Sequence, residues 1–299
     1  MKSSKEKRRF IILGLLPAFL LYAIFIVYPT INVFKESLYK TGGLSGNKTF
    51  VGLDNFKLLF TDAKFIRAFQ NTVFLIVVVT IVTMFMAIFF ASILTREKFK
   101  GQNFFRIIFY IPNILSIAVI ASIFAAVYGM DQGLLNGFFK LFNLETYTNI
   151  PFLGDRKYVV YSIAFAMIWQ AIGYYMVMYM STMSQIPEQL YEAAKLDGAS
   201  RIKQFFDITL PLSWQTVRTT LTFYIISNIN IAFQLIKALT GGGPDGASLT
   251  LLNYQYEQAY TNSSFGYGLA IGVVVFLFSF ILSAIMHKIT NREITPVSY

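Results

Sequence analysis

Cysteine is absent from this sequence of 299 residues, and histidine occurs once, at His287. The first absence excludes disulfides and thiolate chemistry, and the second excludes a metal or catalytic cluster built on several histidines. A phosphate-binding loop of the form G-x-x-x-x-G-K-[ST] is also missing, because Lys48-Thr49 has no glycine frame before it. The chain therefore lacks the usual means of binding and splitting ATP.

Charge is scarce as well. Only 13% of the residues are charged and 56% are hydrophobic, whereas a soluble domain carries about a quarter charged residues. The net charge of +10 could suggest a nucleic-acid partner, but the basic residues flank apolar runs and form no stripe on a soluble domain. The composition favours a lipid bilayer as the surroundings and no nucleic acid as partner.

Six apolar runs reach the length of roughly 20 residues that a helix needs to cross the hydrocarbon core. They cover residues 10–34, 72–94, 104–128, 159–183, 217–236 and 267–286. We expect an all-α integral membrane protein with six transmembrane helices, organised as a basic N-terminus (1–9), a transmembrane domain (10–290) and a C-terminal tail (291–299). The first run has no small-residue cleavage site, which favours an uncleaved span over a signal peptide, and Pro29 interrupts its far end.

Basic residues indicate the orientation. With the N-terminus inside, the cytosolic segments hold 14 Lys and Arg residues and the longer outer segments hold 10. This distribution obeys the positive-inside rule. Both termini, and the segment between spans four and five, are therefore expected in the cytosol.

That segment, residues 187–211, carries a distinct spacing. Glu192-Ala193-Ala194 is followed by three residues and Gly198, then by nine residues, Ile208, one residue and Leu210-Pro211. Pro187 fits the first turn of a helix, Gly198 can adopt the left-handed conformation that ends one, and Leu210-Pro211 predicts an extended step. We predict a short helix, a glycine break, a second short helix and re-entry into lipid.

The spacing resembles the EAA motif of permease subunits in ABC importers and matches it at every signature position. Further stretches, in order, resemble the carbohydrate branch of these permeases, the maltose type. They are residues 50–56, Tyr110-Ile111-Pro112, residues 133–136, and residues 240–244 followed by Thr250, Tyr254, Tyr256 and Ala259. The resemblance covers about residues 10–290. The chain lacks the large outer domain and the additional N-terminal spans of some maltose-type permeases, so it resembles the shorter form with six spans.

The resemblance implies a non-catalytic permease subunit of a bacterial ABC importer in the cytoplasmic membrane, passing a carbohydrate and, we expect, an oligosaccharide. It implies a second homologous permease, two ATP-binding subunits that hold ATP and Mg, and an external solute-binding protein as partners. No cofactor or metal is expected in this chain. The residues implied in coupling to the ATPase are Glu192, Ala193, Ala194, Asp197 and Gly198. Those implied in the outer loop that meets the binding protein are Thr240, Gly241, Gly242, Gly243 and Pro244.

Each segment has a plainer interpretation. The helix at Glu192 could lie on the bilayer surface, although such helices are rich in Lys and Arg and this one has only Lys195. Leu190, Ala193, Ala194 and Asp197 share one face by helical spacing, and this face could instead dock on a soluble partner. The glycine loop could be a flexible connector.

Polar and aromatic residues within the spans indicate a possible sugar pathway, because sugars need aromatic faces and uncharged amide or hydroxyl groups. The alternative is hydrogen bonding and packing between helices, which uses the same residue types. The candidates are Trp169, Gln170, Tyr174 and Tyr175 in the fourth span and Tyr224, Ser227, Asn228, Asn230 and Gln234 in the fifth.

Other functions have weaker support. An ion-driven transporter would need intramembrane carboxylates, and the predicted spans contain neither Asp nor Glu. A membrane-embedded enzyme would need a reactive cluster; the loop carboxylates Asp131, Glu145 and Asp155 are interpreted as solvated charge. The sequons at Asn47 and Asn262 are interpreted as chance matches. A permease for amino acids or peptides stays open as the nearest alternative.

Overall fold

The computed structural model describes residues 4–41, 48–96, 101–131, 133–142 and 149–290. Helices dominate these ranges. The first helices are α1 (Ser4–Tyr22), α2 (Tyr28–Glu36), α3 (Asp54–Leu59), α4 (Ala63–Arg96), α5 (Gln102–Ile114), α6 (Ile117–Val127) and α7 (Leu134–Leu141). The later ones are α8 (Val159–Met183), α9 (Glu188–Leu196), α10 (Arg201–Gln204), α11 (Leu210–Leu239), α12 (Leu251–Tyr256) and α13 (Phe265–Thr290). Strands β1 (Tyr39–Thr41) and β2 (Lys48–Phe50) pair antiparallel, with Tyr39 opposite Phe50.

Five helical stretches in these ranges are long and apolar enough to cross a membrane. They are Arg8–Glu36, Ala63–Arg96, Val159–Met183, Arg201–Leu239 and Phe265–Thr290. A sixth span results if the bent pair α5 and α6 counts as one. The all-α, multi-pass prediction is confirmed, and the number of spans is five or six according to how that pair is counted.

The third predicted span, residues 104–128, is not one straight helix. Helices α5 and α6 meet at an angle of 103°, because Leu115 is extended at the end of α5 and Ser116 starts a new helix with its hydroxyl accepting from the backbone N–H of Val119. Pro112 weakens the last turn of α5 because it has no N–H to donate. A capping serine after a proline-weakened turn thus accounts for the break.

The predicted extended step at Leu210-Pro211 is wrong. Residues 205–209 form a π turn, and the helix continues through α11 with Leu210 in helical conformation, its N–H bonded to the Phe205 carbonyl. The ring of Pro211 would clash with the carbonyl four residues earlier, at Asp207, and the wider turn contains that residue. The second short helix is therefore the first turn of one continuous helix.

The first span uses the same arrangement. A π turn at Ala23–Val27 precedes Pro29, which lies in the first turn of α2. The residue four positions before Pro29 again falls in the middle of the π turn. Pro29 therefore does not interrupt the span, contrary to the expectation from sequence.

The described chain forms two compact units, Met1–Ala63 with Tyr254–Leu277, and Lys64–Asn253 with Phe278–Tyr299. In the first unit, the buried Asn55 side chain donates to the carbonyls of Ser37 and Tyr39 and so fixes the start of the hairpin. The same unit contains Asp62, whose carboxylate accepts hydrogen bonds from the phenols of Tyr254 and Tyr267 at 2.5 and 2.6 Å.

In the second unit, α8 is the most buried span and packs against α5 and α11. Its contact with α5 depends on Gly173, because a Cβ there would lie 1.7 Å from the carbonyl oxygen of Phe109. Helix α11 also packs against α6. This bundle carries the EAA segment (residues 187–211), the glycine loop (residues 240–250) and all the polar span residues singled out in the sequence.

Candidate functional site

The predicted short helix and glycine break of the EAA segment are confirmed. Helix α9 begins after Pro187 and ends at Leu196, and Gly198 has a φ of +79°. The N–H of Ala199 bonds to the Ala194 carbonyl at 2.9 Å, which closes the end of the helix. Pro187 lies at the capping position, one residue before the helix, instead of within its first turn.

The surface of α9 is largely open. Glu192, Ala193, Asp197 and Gly198 are exposed, and Leu196 is 90% exposed. The face predicted from helical spacing is divided, because Leu190 and Ala194 are only partly exposed and lie towards the rest of the chain. The helix thus presents an acidic and apolar surface available to another protein.

The inward side of α9 makes contacts that sequence reasoning missed. The Tyr191 hydroxyl is hydrogen-bonded to that of Thr209 at 2.9 Å. The guanidinium of Arg96 lies 4.4 Å from the centroid of the Tyr191 ring and also donates to the Gln204 side-chain oxygen. The only sequence signal was the position of Arg96 at the end of an apolar run. The contacts attach α9 to the last residue of α4.

The glycine loop is a folded, hydrogen-bonded turn. Gly241 and Gly242 have φ values of +60° and +95°. The hydroxyls of Thr240 and Ser248 are 2.9 Å apart, and the Ser248 hydroxyl donates to the Gly243 carbonyl at 2.6 Å. These bonds close the loop on itself across residues 240–248. The contact of this loop with a binding protein stays a prediction, as does the alternative of a flexible connector.

Helix α4 holds this loop through two buried side chains. The Asn71 side-chain amide donates to the carbonyls of Ala247 and Leu249, at 2.8 and 2.9 Å. The Thr72 hydroxyl accepts from the backbone N–H of Leu251 at 3.0 Å. Sequence reasoning passed over both residues, although they are polar and stand at the start of an apolar run. They make the loop a fixed extension of α4.

Several pathway candidates lie inside the bundle. Tyr224 and Asn228 are 1% and 0% exposed. The Tyr224 hydroxyl is 3.3 Å from that of Thr83, and the Asn228 amide lies 3.5 Å from the Thr80 hydroxyl. The rings of Tyr224 and Tyr175 are 4.6 Å apart. These contacts are the packing between helices given above as the alternative, and a pathway role for these residues stays a prediction.

Two of the five buried side-chain oxygens that lack a hydrogen-bond partner within the described part of the chain belong to pathway candidates. They are the side-chain oxygens of Gln170 and Asn228, and their residues are 8% and 0% exposed. A polar atom buried in this way costs free energy unless something else satisfies it. Both residues belong to the predicted pathway set, and a water or a hydroxyl of a passing solute could supply the missing donor.

The remaining candidates lie on open faces. Asn230 and Gln234 are exposed on α11, and Tyr174 is 39% exposed on α8. Ser227 is half-buried, as is Trp169, whose ring packs 5.3 Å from that of Phe124. The exposed residues Gln215, Thr219, Phe223, Ile226, Asn230 and Gln234 recur at intervals of three or four and make one stripe along α11, which continues to the exposed Lys237 and Ala238 in the last turn. Amide groups in the middle of a span are costly against lipid, so the stripe is suited to a protein or aqueous surface.

The loop carboxylates do not come together. Asp131 is exposed, and the Asp155 carboxylate accepts from the backbone N–H of Lys157 at 2.7 Å, as in an ordinary turn. Glu145 and Asn47 lie outside the described residues, and Asn262 is exposed.

Tyr254 belongs to the unit that contains residues up to Ala63. Burial, and then the Asp62 carboxylate, raise the pKa of the Tyr254 phenol above its usual value, so the phenol stays a hydrogen-bond donor.

A protein-family model described as "Binding-protein-dependent transport system inner membrane component" matches residues 84–294. The match begins within α4 and continues past the end of α13. It includes the EAA segment, the glycine loop and the polar stripe of α11.

Proteins similar over nearly the whole chain have transport names. The sequence is 37% identical to the "Probable ABC transporter permease protein YurN" of Bacillus subtilis (strain 168), over 94% of this chain and 96% of that protein. It is 30% identical to the "Diacetylchitobiose uptake system permease protein NgcF" of Streptomyces coelicolor, over 91% of this chain and 79% of that protein. It is 29% identical to the "Multiple sugar-binding transport system permease protein MsmF" of Streptococcus mutans, over 91% of this chain and 92% of that protein.

The fold also has a counterpart among solved structures. A chain of a bacterial ABC transporter involved in the import of the acidic polysaccharide alginate matches with a TM-score of 0.83 at 22% identity, covering 96% of this chain and 97% of that one. At this identity the likeness shows the fold alone. It agrees with the helical, multi-pass architecture built up above.

Proposed function

We propose that this chain, which belongs to the family of binding-protein-dependent transport system inner membrane components, is the permease subunit through which an ATP-driven importer passes a carbohydrate. The observation that carries the proposal is the exposed surface of α9, with Glu192, Ala193 and Asp197 open and Gly198 in the left-handed conformation. It is a docking surface for another protein on a chain made mostly of membrane spans.

The energy for transport enters from outside this chain. Because the sequence has no phosphate-binding loop, two partner subunits would bind ATP and Mg, and this subunit would be non-catalytic. A second permease would complete the translocation pathway, and an external solute-binding protein would deliver the solute to the glycine loop. The distribution of Lys and Arg favours cytosolic termini and a cytosolic α9, where the ATP-binding subunits would dock.

The cycle would be one of alternating access. Closure of the ATP-binding subunits would move α9 and favour an outward-open arrangement of the spans, and ATP hydrolysis would reverse the change. Such coupling requires that the two arrangements bind the partners with different affinities. Residues Glu192, Ala193, Ala194, Asp197 and Gly198 would transmit the movement.

A neutral carbohydrate fits the pathway candidates. The stripe on α11 offers the amides Asn230 and Gln234 and the ring of Phe223, without a charged group in mid-span. Uncharged amides and aromatic faces suit the hydroxyl and C–H surfaces of sugars. The relatives NgcF and MsmF have names that specify diacetylchitobiose and multiple sugars, which supports the same class here.

An anionic solute is the second candidate. The chain is 27% identical to the "sn-glycerol-3-phosphate transport system permease protein UgpA" of Escherichia coli, over 93% of this chain and 92% of that protein. A phosphate group would call for a cation in the pathway. On α11 the cations are Arg218, near its start, and Lys237, in its last turn. Their positions favour the neutral solute.

Reconstitution with the partner subunits tests the proposal. Wild-type proteoliposomes should take up the oligosaccharides that the binding protein retains, with ATP hydrolysis stimulated by the loaded binding protein. Glu192→Lys should lower uptake at least tenfold while the subunit still inserts. Asp131→Lys, the same charge reversal at an exposed carboxylate outside α9, is the matched control and should transport normally. Wild-type uptake by Glu192→Lys would contradict the coupling role.

A further inference from the structure

Arg96 is the last residue of α4 and touches both helices that flank Gly198. Its guanidinium carbon lies 4.4 Å from the centroid of the Tyr191 ring on α9. Its Nη2 donates to Oε1 of Gln204 on α10 at 2.5 Å. One side chain from a membrane span therefore contacts the EAA segment on each side of its break.

Gln204 is held in the orientation that this contact requires. Gln204 is 6% exposed, and its side-chain Nε2 donates to the Ala199 carbonyl at 2.9 Å. Since a guanidinium can only donate, the amide oxygen must face Arg96 and the amide nitrogen must face Ala199. Gln204 thus joins Arg96 to the backbone immediately after Gly198.

The aromatic partner is fixed as well. The Tyr191 hydroxyl is 2.9 Å from that of Thr209, which is fully buried at the end of the π turn. The ring is therefore attached at its far end to the base of α11, while its face lies under Arg96. The backbone connects α9 to the helix that runs from α10 into α11 only through Gly198 and its neighbours. These side-chain contacts restrict its rotation about that point.

We propose that Arg96 is a positioning residue that makes α9, α10 and the end of α4 move as one piece, so that a push on α9 reaches the second span as well as the fifth. The proposal rests on the proposed function, in which α9 receives the movement of the ATP-binding subunits. Arg96 acts through Tyr191 and Gln204 and touches neither solute nor nucleotide.

The chemistry of the contacts distinguishes the positioning role of Arg96 from the role of a basic residue that only carries charge at a membrane interface. Both partners of Arg96 are uncharged, an aromatic face and an amide oxygen, so planar stacking and a directed hydrogen bond define the contact. A lysine keeps the positive charge, the snorkelling stem and the favourable interaction with the end of α4, but it lacks the planar fork. Arg96→Lys therefore separates the two roles.

The test uses the full transporter, reconstituted with its ATP-binding and solute-binding subunits. We expect Arg96→Lys to lower the amount of solute taken up per ATP hydrolysed about fivefold, a size typical of coupling between sites. The quantity of assembled complex and its basal ATP hydrolysis should stay within about twofold of wild type. Tyr191→Leu, which removes the ring, should have the same effect, whereas Tyr191→Phe, which keeps it, should be near normal.

The double variant Arg96→Lys/Tyr191→Leu shows whether the two residues act through one contact, when solute taken up per ATP hydrolysed is compared at normal assembly. If both residues act through one contact, the double variant should be no worse than either single variant, because effects of residues in contact are not additive. Additive losses would overturn the proposal. Reduced assembly of Arg96→Lys would overturn it too, since the residue would then serve folding.

The Glu192→Lys variant separates the role of Arg96 from the coupling role of α9. Loss of uptake in Glu192→Lys together with full coupling in Arg96→Lys would leave the proposed function standing and overturn the role of Arg96. Normal uptake in Glu192→Lys would reject the coupling role of α9, the part of the proposed function on which the role of Arg96 rests. Loss of uptake in Glu192→Lys together with reduced coupling in Arg96→Lys supports the coupling role of α9 and the positioning role of Arg96.

Discussion

Helix α4 holds one segment outside the spans at each of its ends, and the two attachments differ in kind. In its third turn, Asn71 and Thr72 bond to the backbone of the glycine loop in a buried setting. At its end, the partly exposed Arg96 contacts the EAA segment through the face of a partly exposed ring and through the buried side-chain amide of Gln204. Buried backbone partners are costly to leave unpaired, whereas partly exposed side chains can be satisfied by water. The glycine loop is thus built into α4, and the EAA segment is attached in a way suited to a part that moves.

The strongest test of this comparison is Asn71→Leu. The change removes two hydrogen bonds and leaves the buried carbonyls of Ala247 and Leu249 without a donor. We expect the free energy of unfolding to fall by about 3 kcal/mol, measured by thermal unfolding of the purified transporter. Gln70→Leu, at an exposed neighbouring position, is the control and should change little. A small effect of Asn71→Leu would mean that the loop is held by other contacts.

Gly198→Ala should have an intermediate effect and should act on the EAA segment alone. The φ of +79° is unfavourable for alanine, while the space around a new Cβ is open, so the cost is conformational, about 1–2 kcal/mol. We expect α9 to become more accessible to proteases and uptake to fall, with little change in overall thermal unfolding. Gly14→Ala, also in open space but with an ordinary helical φ, is the matched control.

Tyr191→Phe should have the smallest effect on stability. It removes the hydrogen bond to Thr209 and keeps the ring beneath Arg96. A single hydrogen bond of this type contributes about 1 kcal/mol, so thermal unfolding should shift only slightly. If Tyr191→Phe destabilised the transporter as much as Asn71→Leu, the EAA segment would be held as firmly as the glycine loop, and the contrast between the two segments would not hold.

Local signals made parts of this structure predictable from the sequence. The apolar runs, and Pro187 and Gly198 around α9, depend on neighbouring residues and gave correct helices and a correct break. The rule that a residue before proline avoids helical conformation failed at Leu210, which is helical; the π turn at Phe205–Thr209 relieves the other clash of the proline ring, with the carbonyl four residues earlier, and the helix continues. The bend after Ile114 was missed because nothing in the hydropathy of that run marks Ser116 as a capping residue.

The contacts that assemble the site were out of reach for a different reason. Arg96 and Gln204 are separated by 108 positions, and Asn71 and Ala247 by 176, so no spacing within one helix reveals either pair. The pathway residues divide into buried members such as Tyr224 and exposed members such as Asn230. That division follows from how α8 and α11 pack, which composition alone does not determine.

The π turn at Phe205–Thr209 also has a geometric consequence. It behaves as one residue inserted into an α-helix, and one residue corresponds to a rotation of about 100° around the axis. The π turn therefore changes the rotation about the helix axis between two surfaces, compared with an unbroken α-helix. These are the face of α10 that meets Arg96 and the stripe of α11 that carries Asn230. Removing a single residue here would leave both surfaces intact and turn one of them away from its partner. The turn thus sets the rotation between the face of α10 that meets Arg96 and the polar stripe of α11.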